Sequence, residues 1–136
     1  MNAHNHVNAT IIRGLGDDGI RNSKRGKLEY YWDIDLLKNL GKKECYAAGM
    51  LCAVEMLKSG ITCTQDSHYL NFHKDAIDGI AQSMLDSGMR VVLGRGCWDV
   101  PGLAPEELTE DVKTAVRASE KVISKWHGKG NSRITT

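Results

Sequence analysis

Two histidines stand one residue apart at the start of the chain, in the stretch Asn2-Ala3-His4-Asn5-His6. Side chains on a β-strand alternate between its two faces, so residues two apart project from the same side. On a strand, His4 and His6 therefore form a bidentate pair for a divalent metal, because neutral imidazole is a common ligand of zinc and similar ions. An exposed terminal pair without a function also fits this pattern, and other features of the sequence must decide.

The bulk properties of the chain exclude several classes of partner. A net charge of +1, with basic residues scattered among acidic ones, provides no field that would attract nucleic acid or an anionic membrane. No apolar run approaches the roughly 20 residues of a membrane span, and the amino terminus lacks the apolar segment of a signal peptide. We therefore expect a cytoplasmic protein. The four cysteines form no CxxC pair, so reduced, buried thiols are expected.

Three stretches carry apolar residues at a spacing of three and four, which predicts helices. They cover about 42–57, about 75–86 and the run from Pro105 to Trp126. Short apolar and β-branched runs at 61–65 and 90–94 predict strands, and a polar cluster follows the first of them. The last residues, 133–136, have the composition of an opening strand.

The periodicity of each helix also predicts its buried face. The predicted core residues are Tyr46, Met50, Ala53, Val54 and Leu57 in the first helix, Ile77, Ile80, Ala81, Met84 and Leu85 in the second, and Leu108, Val112, Val116, Ser119, Ile123 and Trp126 in the third.

The unit of helix, glycine, strand and polar loop recurs after about 29 residues, which is typical of parallel α/β folds. A doubly wound open sheet and a (β/α)₈ barrel both fit this alternation. The open sheet lacks support, because Gly14-Leu15-Gly16 has neither the third glycine nor the preceding strand of a dinucleotide-binding loop. A barrel takes about 250 residues. The fold class predicted is therefore α/β, a partial TIM-type (β/α)₈ barrel with about the first three to four βα units.

Several segments resemble one known superfamily in their order and spacing. The histidine pair is followed by Ile11-Ile12-Arg13-Gly14-Leu15 and then by Asp17-Asp18. Residues 53–62 lead into the second predicted strand, and 87–96 cover the third strand and its exit. These segments resemble the first three barrel strands of the amidohydrolase superfamily. The resemblance is to its deaminase and chlorohydrolase branch, which includes guanine, adenosylhomocysteine, methylthioadenosine and triazine hydrolases.

The resemblance implies a hydrolase that contains one divalent metal ion, with zinc ahead of iron. In this branch the HxH motif supplies two ligands, here His4 and His6, and two further histidines and an aspartate come from strands five, six and eight. The metal activates a water molecule for hydrolytic deamination or dechlorination of a heteroaromatic ring of purine, pyrimidine or triazine type. A glutamate usually moves the protons. No catalytic residue is assigned within this chain.

The remaining ligands have no counterpart among the 136 residues, because His68, His73 and His127 do not stand in the matching positions. The chain is therefore interpreted as a fragment, 1–136, of a metal-dependent hydrolase barrel domain, and no activity is expected of it alone. Open strand edges predict self-association or pairing with the missing half of the barrel. Two alternatives are a complementing subunit that supplies the HxH motif to a partner, and a small structural α/β domain with incidental histidines.

Further candidates stand where the predicted strands end, the side of a barrel at which chemistry occurs. Each has a structural alternative: a salt bridge for the charged residues near strand ends, a buried anchor for the tryptophan and a solvated turn for the first arginine. The aromatic stretch Tyr30-Tyr31-Trp32 could contact substrate or pack in the core. The predicted substrate-binding residues are Arg13, Asp66, Arg95, Trp98 and Asp99.

Overall fold

Four parallel strands form one sheet in the order β1-β2-β3-β4, as the alternation of helices and strands predicts. The computed structural model describes residues 1–14 and 35–136. Asp17, Asp18 and the aromatic stretch 30–32 lie outside these residues. The strands are β1 (Asn2–Asn5), β2 (Cys63–His68), β3 (Arg90–Arg95) and β4 (Ile134–Thr135), and the helices are α1 (Asp35–Lys38), α2 (Lys42–Lys58), α3 (Ala76–Ser87), α4 (Val112–Trp126) and α5 (Lys129–Ser132), with 3-10 helices at Val7–Ile12 and Glu106–Leu108.

Strand β2 runs through the polar cluster that the sequence places after it. The expected end near Gln65 is wrong, because β2 pairs with β3 in register as far as His68 opposite Arg95. The ladder hydrogen bonds offset the low strand propensity of Asp66 and Ser67. A prediction from local composition alone therefore places the end of this strand too early.

The two faces of the sheet differ in what covers them. Asp66, His68 and Leu93 are buried beneath the helices, and we call this side the helix-covered face. Ser67 is half-buried and Val92 is exposed on the other side, which we call the open face. Since side chains alternate along a strand, residues of β2 and β3 can be assigned to one face or the other. Strand β1 has an irregular register between Asn2 and Asn5, so its side chains are assigned from their contacts.

Helices α2 and α3 pack closely because two glycines remove side chains from the contact. A Cβ atom on Gly79 would lie 2.1 Å from the carbonyl oxygen of Lys42, and one on Gly49 would lie 1.9 Å from Ser83 Oγ. The predicted core face of α3 is confirmed, with Ile80 and Met84 fully buried. Gly88 ends α3 in the left-handed conformation that favours glycine.

The predicted face of α2 is right in part: Ala53 is fully buried, but two of its five members are exposed. Val54 and Leu57 are 48% and 41% exposed, whereas Cys45, Cys52 and Met56 are buried. The apolar residues of α2 are distributed around its whole circumference, so their periodicity does not single out one buried side. The close approach at the glycines selects the buried face.

Helix α4 begins at Val112, seven residues after the predicted start at Pro105. Asp111 is its N-cap and accepts a hydrogen bond from the Thr114 amide at 3.1 Å. The predicted stripe is also wrong apart from Leu108, Trp126 and the half-buried Ser119, because its other members are exposed. The exposed members are Val112 (63%), Val116 (51%) and Ile123 (47%).

A contact with α3 explains the orientation of α4. Asp78 accepts a hydrogen bond from Trp126 Nε1 at 2.6 Å. It also forms an ion pair with Lys125 Nζ at 2.7 Å. This contact turns Ala115 and Val122 into the core and leaves the other apolar stripe outside.

Two further expectations concern the thiols and the membrane. All four cysteines are free, and Cys45 and Cys52 are buried as expected, whereas Cys97 is exposed. None of the helices in the described part of the chain is long and apolar enough to cross a bilayer.

Candidate metal centre

Both histidines of the HxH motif point to the open face, His4 from β1 and His6 from the residue just after this strand. The intervening Asn5 points the other way, and its side-chain amide donates to Cys52 Sγ at 3.3 Å and to Met56 Sδ at 3.9 Å on α2. Because neighbours along a strand alternate, His4 and His6 face away from the helices. They therefore lie on the side of the sheet that would become the interior of a closed barrel.

The two imidazoles converge through their Nε2 atoms, which are 3.2 Å apart. Their rings meet edge to face, with centroids 4.7 Å apart. Two nitrogens that bind a tetrahedral zinc ion, each at about 2.0–2.1 Å, lie about 3.3 Å from each other. The observed spacing thus suits two ligands of one ion.

A hydrogen bond to the backbone selects the tautomer of the neutral His6 ring. Its Nδ1 lies 2.8 Å from the carbonyl oxygen of Ser67, which accepts and cannot donate. The neutral ring therefore carries its proton on Nδ1 and its lone pair on Nε2, towards His4. Histidines that bind metals usually donate their other ring N–H in this way.

The pair supplies only part of a coordination sphere. Among residues 1–14 and 35–136, no group of three or more His, Cys, Asp or Glu side chains is placed to hold a metal ion. Catalytic zinc sites use about three protein ligands and an open position. The donor set fits a metal site that is completed by groups outside the described residues.

Aromatic side chains continue the row of rings beyond His6. Tyr69 packs edge to face on His6 with centroids 4.6 Å apart, and Trp98 approaches Tyr69 at 6.2 Å. Trp98 Nε1 also donates to the Tyr69 carbonyl oxygen at 3.3 Å. Sequence reasoning missed Ser67 and Tyr69. Strand alternation could have predicted that Ser67 and Tyr69 share a face, but only if β2 had been extended to His68.

Three of the predicted substrate residues lie apart from this row. Arg13 pairs with the exposed Glu55 on α2 at 2.7 Å, and Asp99 is exposed in the loop after β3. Arg95 forms a bidentate pair with Glu110 at 2.8 and 3.1 Å, the salt bridge weighed as its structural alternative. Substrate contact by these residues stays a prediction.

Asp66 lies on the helix-covered face, behind the histidine pair. It is fully buried, and its Oδ1 accepts a hydrogen bond from the Val7 amide at 2.9 Å. Burial raises its pKa to about 7, although the Val7 bond opposes this shift. Its substrate role also stays a prediction, so Trp98 alone of the five stands in the row of rings.

His68 is the second ionisable group on the helix-covered face. Burial, assisted by the nearby positive charge of Arg95, lowers its pKa to about 4. Neither ring nitrogen meets the geometry of a full hydrogen bond within the described residues, although the nearby Leu70 backbone weakly opposes the fall in pKa. The pleat therefore separates two kinds of histidine: His6 on the open face and a neutral, enclosed His68 behind it.

Comparison with known families matches this chain over its whole length. The sequence profile of the amidohydrolase family matches residues 1–136. The chain belongs to the amidohydrolase family. Its amidohydrolase relatives include a 5-methylthioadenosine/S-adenosylhomocysteine deaminase of Archaeoglobus fulgidus, 34% identical over the full chain and 29% of that protein. The corresponding enzyme of Syntrophomonas wolfei is 32% identical over 99% of the chain and 27% of its own length.

Solved structures agree with the partial barrel. A mutant atrazine chlorohydrolase of Arthrobacter aurescens, solved with zinc and atraton, superposes with a TM-score of 0.74 at 17% identity. The match covers 98% of this amidohydrolase chain and 32% of that structure. The predicted fold class, an incomplete (β/α)₈ barrel, is thereby confirmed. The chain spans about 27–29% of the curated relatives it matches.

Proposed function

We propose that residues 1–136 form the metal-binding first part of a hydrolase barrel that deaminates a heteroaromatic ring. The convergence of His4 and His6 Nε2 at 3.2 Å is the observation that carries this proposal. Deaminases among the relatives, including a 5'-deoxyadenosine deaminase of Methanothermobacter thermautotrophicus that is 28% identical, support an aminopurine substrate. Water then replaces the ring amino group, which leaves as ammonia. Dechlorination of a triazine is the second chemistry, favoured by the structural likeness to the chlorohydrolase.

One divalent ion, zinc ahead of iron, would be held by Nε2 of His4 and Nε2 of His6. When bound, such an ion lowers the pKa of a water molecule so that hydroxide is present near neutral pH. By accepting from His6 Nδ1, the Ser67 carbonyl oxygen would leave the Nε2 lone pair of His6 available to such an ion. The Tyr69 and Trp98 rings offer apolar edges and faces against which a planar ring can pack.

Two imidazoles do not complete a catalytic site, so we expect the isolated chain to be inactive. The missing ligands and the proton-moving carboxylate would come from polypeptide outside these residues, either in the same chain or in a complementing partner. A soluble location in the cytoplasm is part of this proposal.

A chimeric enzyme tests the function. Residues 1–136 would replace the matching segment of the Archaeoglobus fulgidus deaminase, which is 34% identical to them. We expect the chimera to bind one zinc ion and to release ammonia from methylthioadenosine. His4→Ala and His6→Ala should each reduce both zinc content and ammonia release to background.

His127→Ala is the matched control, because His127 is exposed at the end of α4 and contacts Thr136 there. It should leave the zinc content unchanged. A folded chimera that keeps its zinc after both His4 and His6 are replaced would show that the ligand assignment is wrong.

A further inference from the structure

The second histidine of the pair stands just outside the regular ladder. Strand β1 ends at Asn5, and His6, with φ −119° and ψ 81°, begins the turn into the 3-10 helix Val7–Ile12. Ladder hydrogen bonds therefore do not fix the orientation of this residue. Other contacts must hold its ring towards His4.

Two consecutive residues of β2 supply those contacts. The Ser67 carbonyl oxygen accepts from His6 Nδ1 at 2.8 Å, and Asp66 Oδ1 accepts from the Val7 amide at 2.9 Å. The Val7 amide belongs to the peptide bond that follows His6. Because a peptide bond is planar, holding this amide restricts the backbone rotation that aims the imidazole.

The position of Asp66 fits this role better than contact with a substrate. Its carboxylate is fully buried on the helix-covered face, opposite the imidazoles. Val7 is its hydrogen-bond donor, and Asp66 Oδ2 has no partner among the described residues. A buried polar group is costly unless it is bonded, so the bond to Val7 is strongly favoured.

We propose that Asp66 is a positioning residue for the metal ligand His6: it anchors the Val7 amide, and thereby keeps the His6 ring on the Ser67 carbonyl with the Nε2 lone pair turned towards His4. This rests on the proposed function only in naming His6 a ligand. The role itself exists in the zinc-free chain, where it can be measured separately.

The test reads the imidazole tautomers from long-range ¹H–¹⁵N spectra of the zinc-free 136-residue chain. The unaltered chain should show His6 protonated on Nδ1. Asp66→Ala releases the Val7 amide, so His6 should become a mixture of both tautomers, and its zinc affinity should fall about tenfold. Asp66→Asn keeps an acceptor oxygen in the same place and should retain the single tautomer.

Met84→Ala is the control for general destabilisation, because Met84 is fully buried and lies on α3, outside the segments that carry Asp66 and the histidine pair. It should lower stability and leave the His6 tautomer unchanged. A folded Asp66→Ala chain with the parental tautomer would overturn the proposal. If that variant does not fold, Asp66→Asn decides, since a tautomer mixture in the folded amide variant would equally overturn it. Zinc binding without His4 and His6 would instead overturn the proposed function and leave the tautomer result standing.

Discussion

His68 shows how the pleat of β2 changes the chemistry of a side chain. It is buried on the helix-covered face, and its pKa falls to about 4 through burial and the nearby positive charge of Arg95. The unfolded chain takes up a proton near pH 6.5, while the folded chain stays neutral until about pH 4. The stability that depends on neutral His68 is therefore complete above pH 6.5 and is lost as the pH falls towards 4.

His68→Leu should remove this acid sensitivity. Between pH 7 and pH 4, the unaltered chain should lose about 3 kcal/mol more unfolding free energy than the variant, since one pKa unit corresponds to about 1.4 kcal/mol. Urea denaturation at several pH values measures both chains. The buried Asp66 titrates in both, so its contribution cancels in the difference. If the unfolding free energies of the two chains changed in parallel between pH 7 and pH 4, His68 would not be an enclosed, neutral imidazole.

Packing between helices depends on two local features, the glycine contact of α2 with α3 and the Asp78 contact of α3 with α4. Sequence periodicity predicted α3 well because its apolar residues are confined to one side. It was only partly right for α2 and for α4, which carry apolar residues on more than one side, so that some predicted members are buried and others are exposed. At the site, strand alternation indicated the shared face of His4 and His6. The roles of Ser67 and Tyr69 depend on pairing between distant strands, which local pattern does not contain.

Gly79→Ala should destabilise the chain by about 1–3 kcal/mol, because the new methyl group meets the backbone of Lys42, which cannot rotate away. Helix propensity alone would give the opposite sign, since alanine is favoured over glycine by about 1 kcal/mol. Ala47→Gly, at an exposed position of α2, measures that propensity. Thermal unfolding decides, and a Gly79→Ala chain more stable than its parent would refute the close contact.

Asp78→Ala should cost about 1–3 kcal/mol, because it leaves the partly buried Trp126 N–H without its acceptor. Lys125→Ala removes only the exposed half of the same contact and should cost less than about 1 kcal/mol. Guanidinium unfolding of the two variants gives the comparison. Equal losses would mean that the indole bond does not orient α4.

At the scale of the whole molecule, large apolar side chains remain exposed on the open face and on α4. Val92 lies on the open face, and Val116 and Ile123 form part of an exposed stripe on α4. Exposed apolar patches of this kind favour association. These exposed side chains are the physical reason to expect self-association or pairing with the rest of a barrel, which stays a prediction.

Light-scattering chromatography over a range of concentrations should show dimers or larger species that increase with concentration. Val116→Lys together with Ile123→Lys should shift the chain towards monomer. Val100→Lys, in an exposed loop, serves as the control and should have little effect. A single monomer peak at every concentration would contradict the expectation.

The central claim is that His4 and His6 bind one ion together, and a zinc titration that follows the ring nitrogens of the unaltered chain tests it most directly. We predict that Nε2 of His4 and Nε2 of His6 shift together and saturate at one zinc per chain, while His73 and His127 keep their shifts. Separate responses of the two rings, or no response from either, would contradict the account.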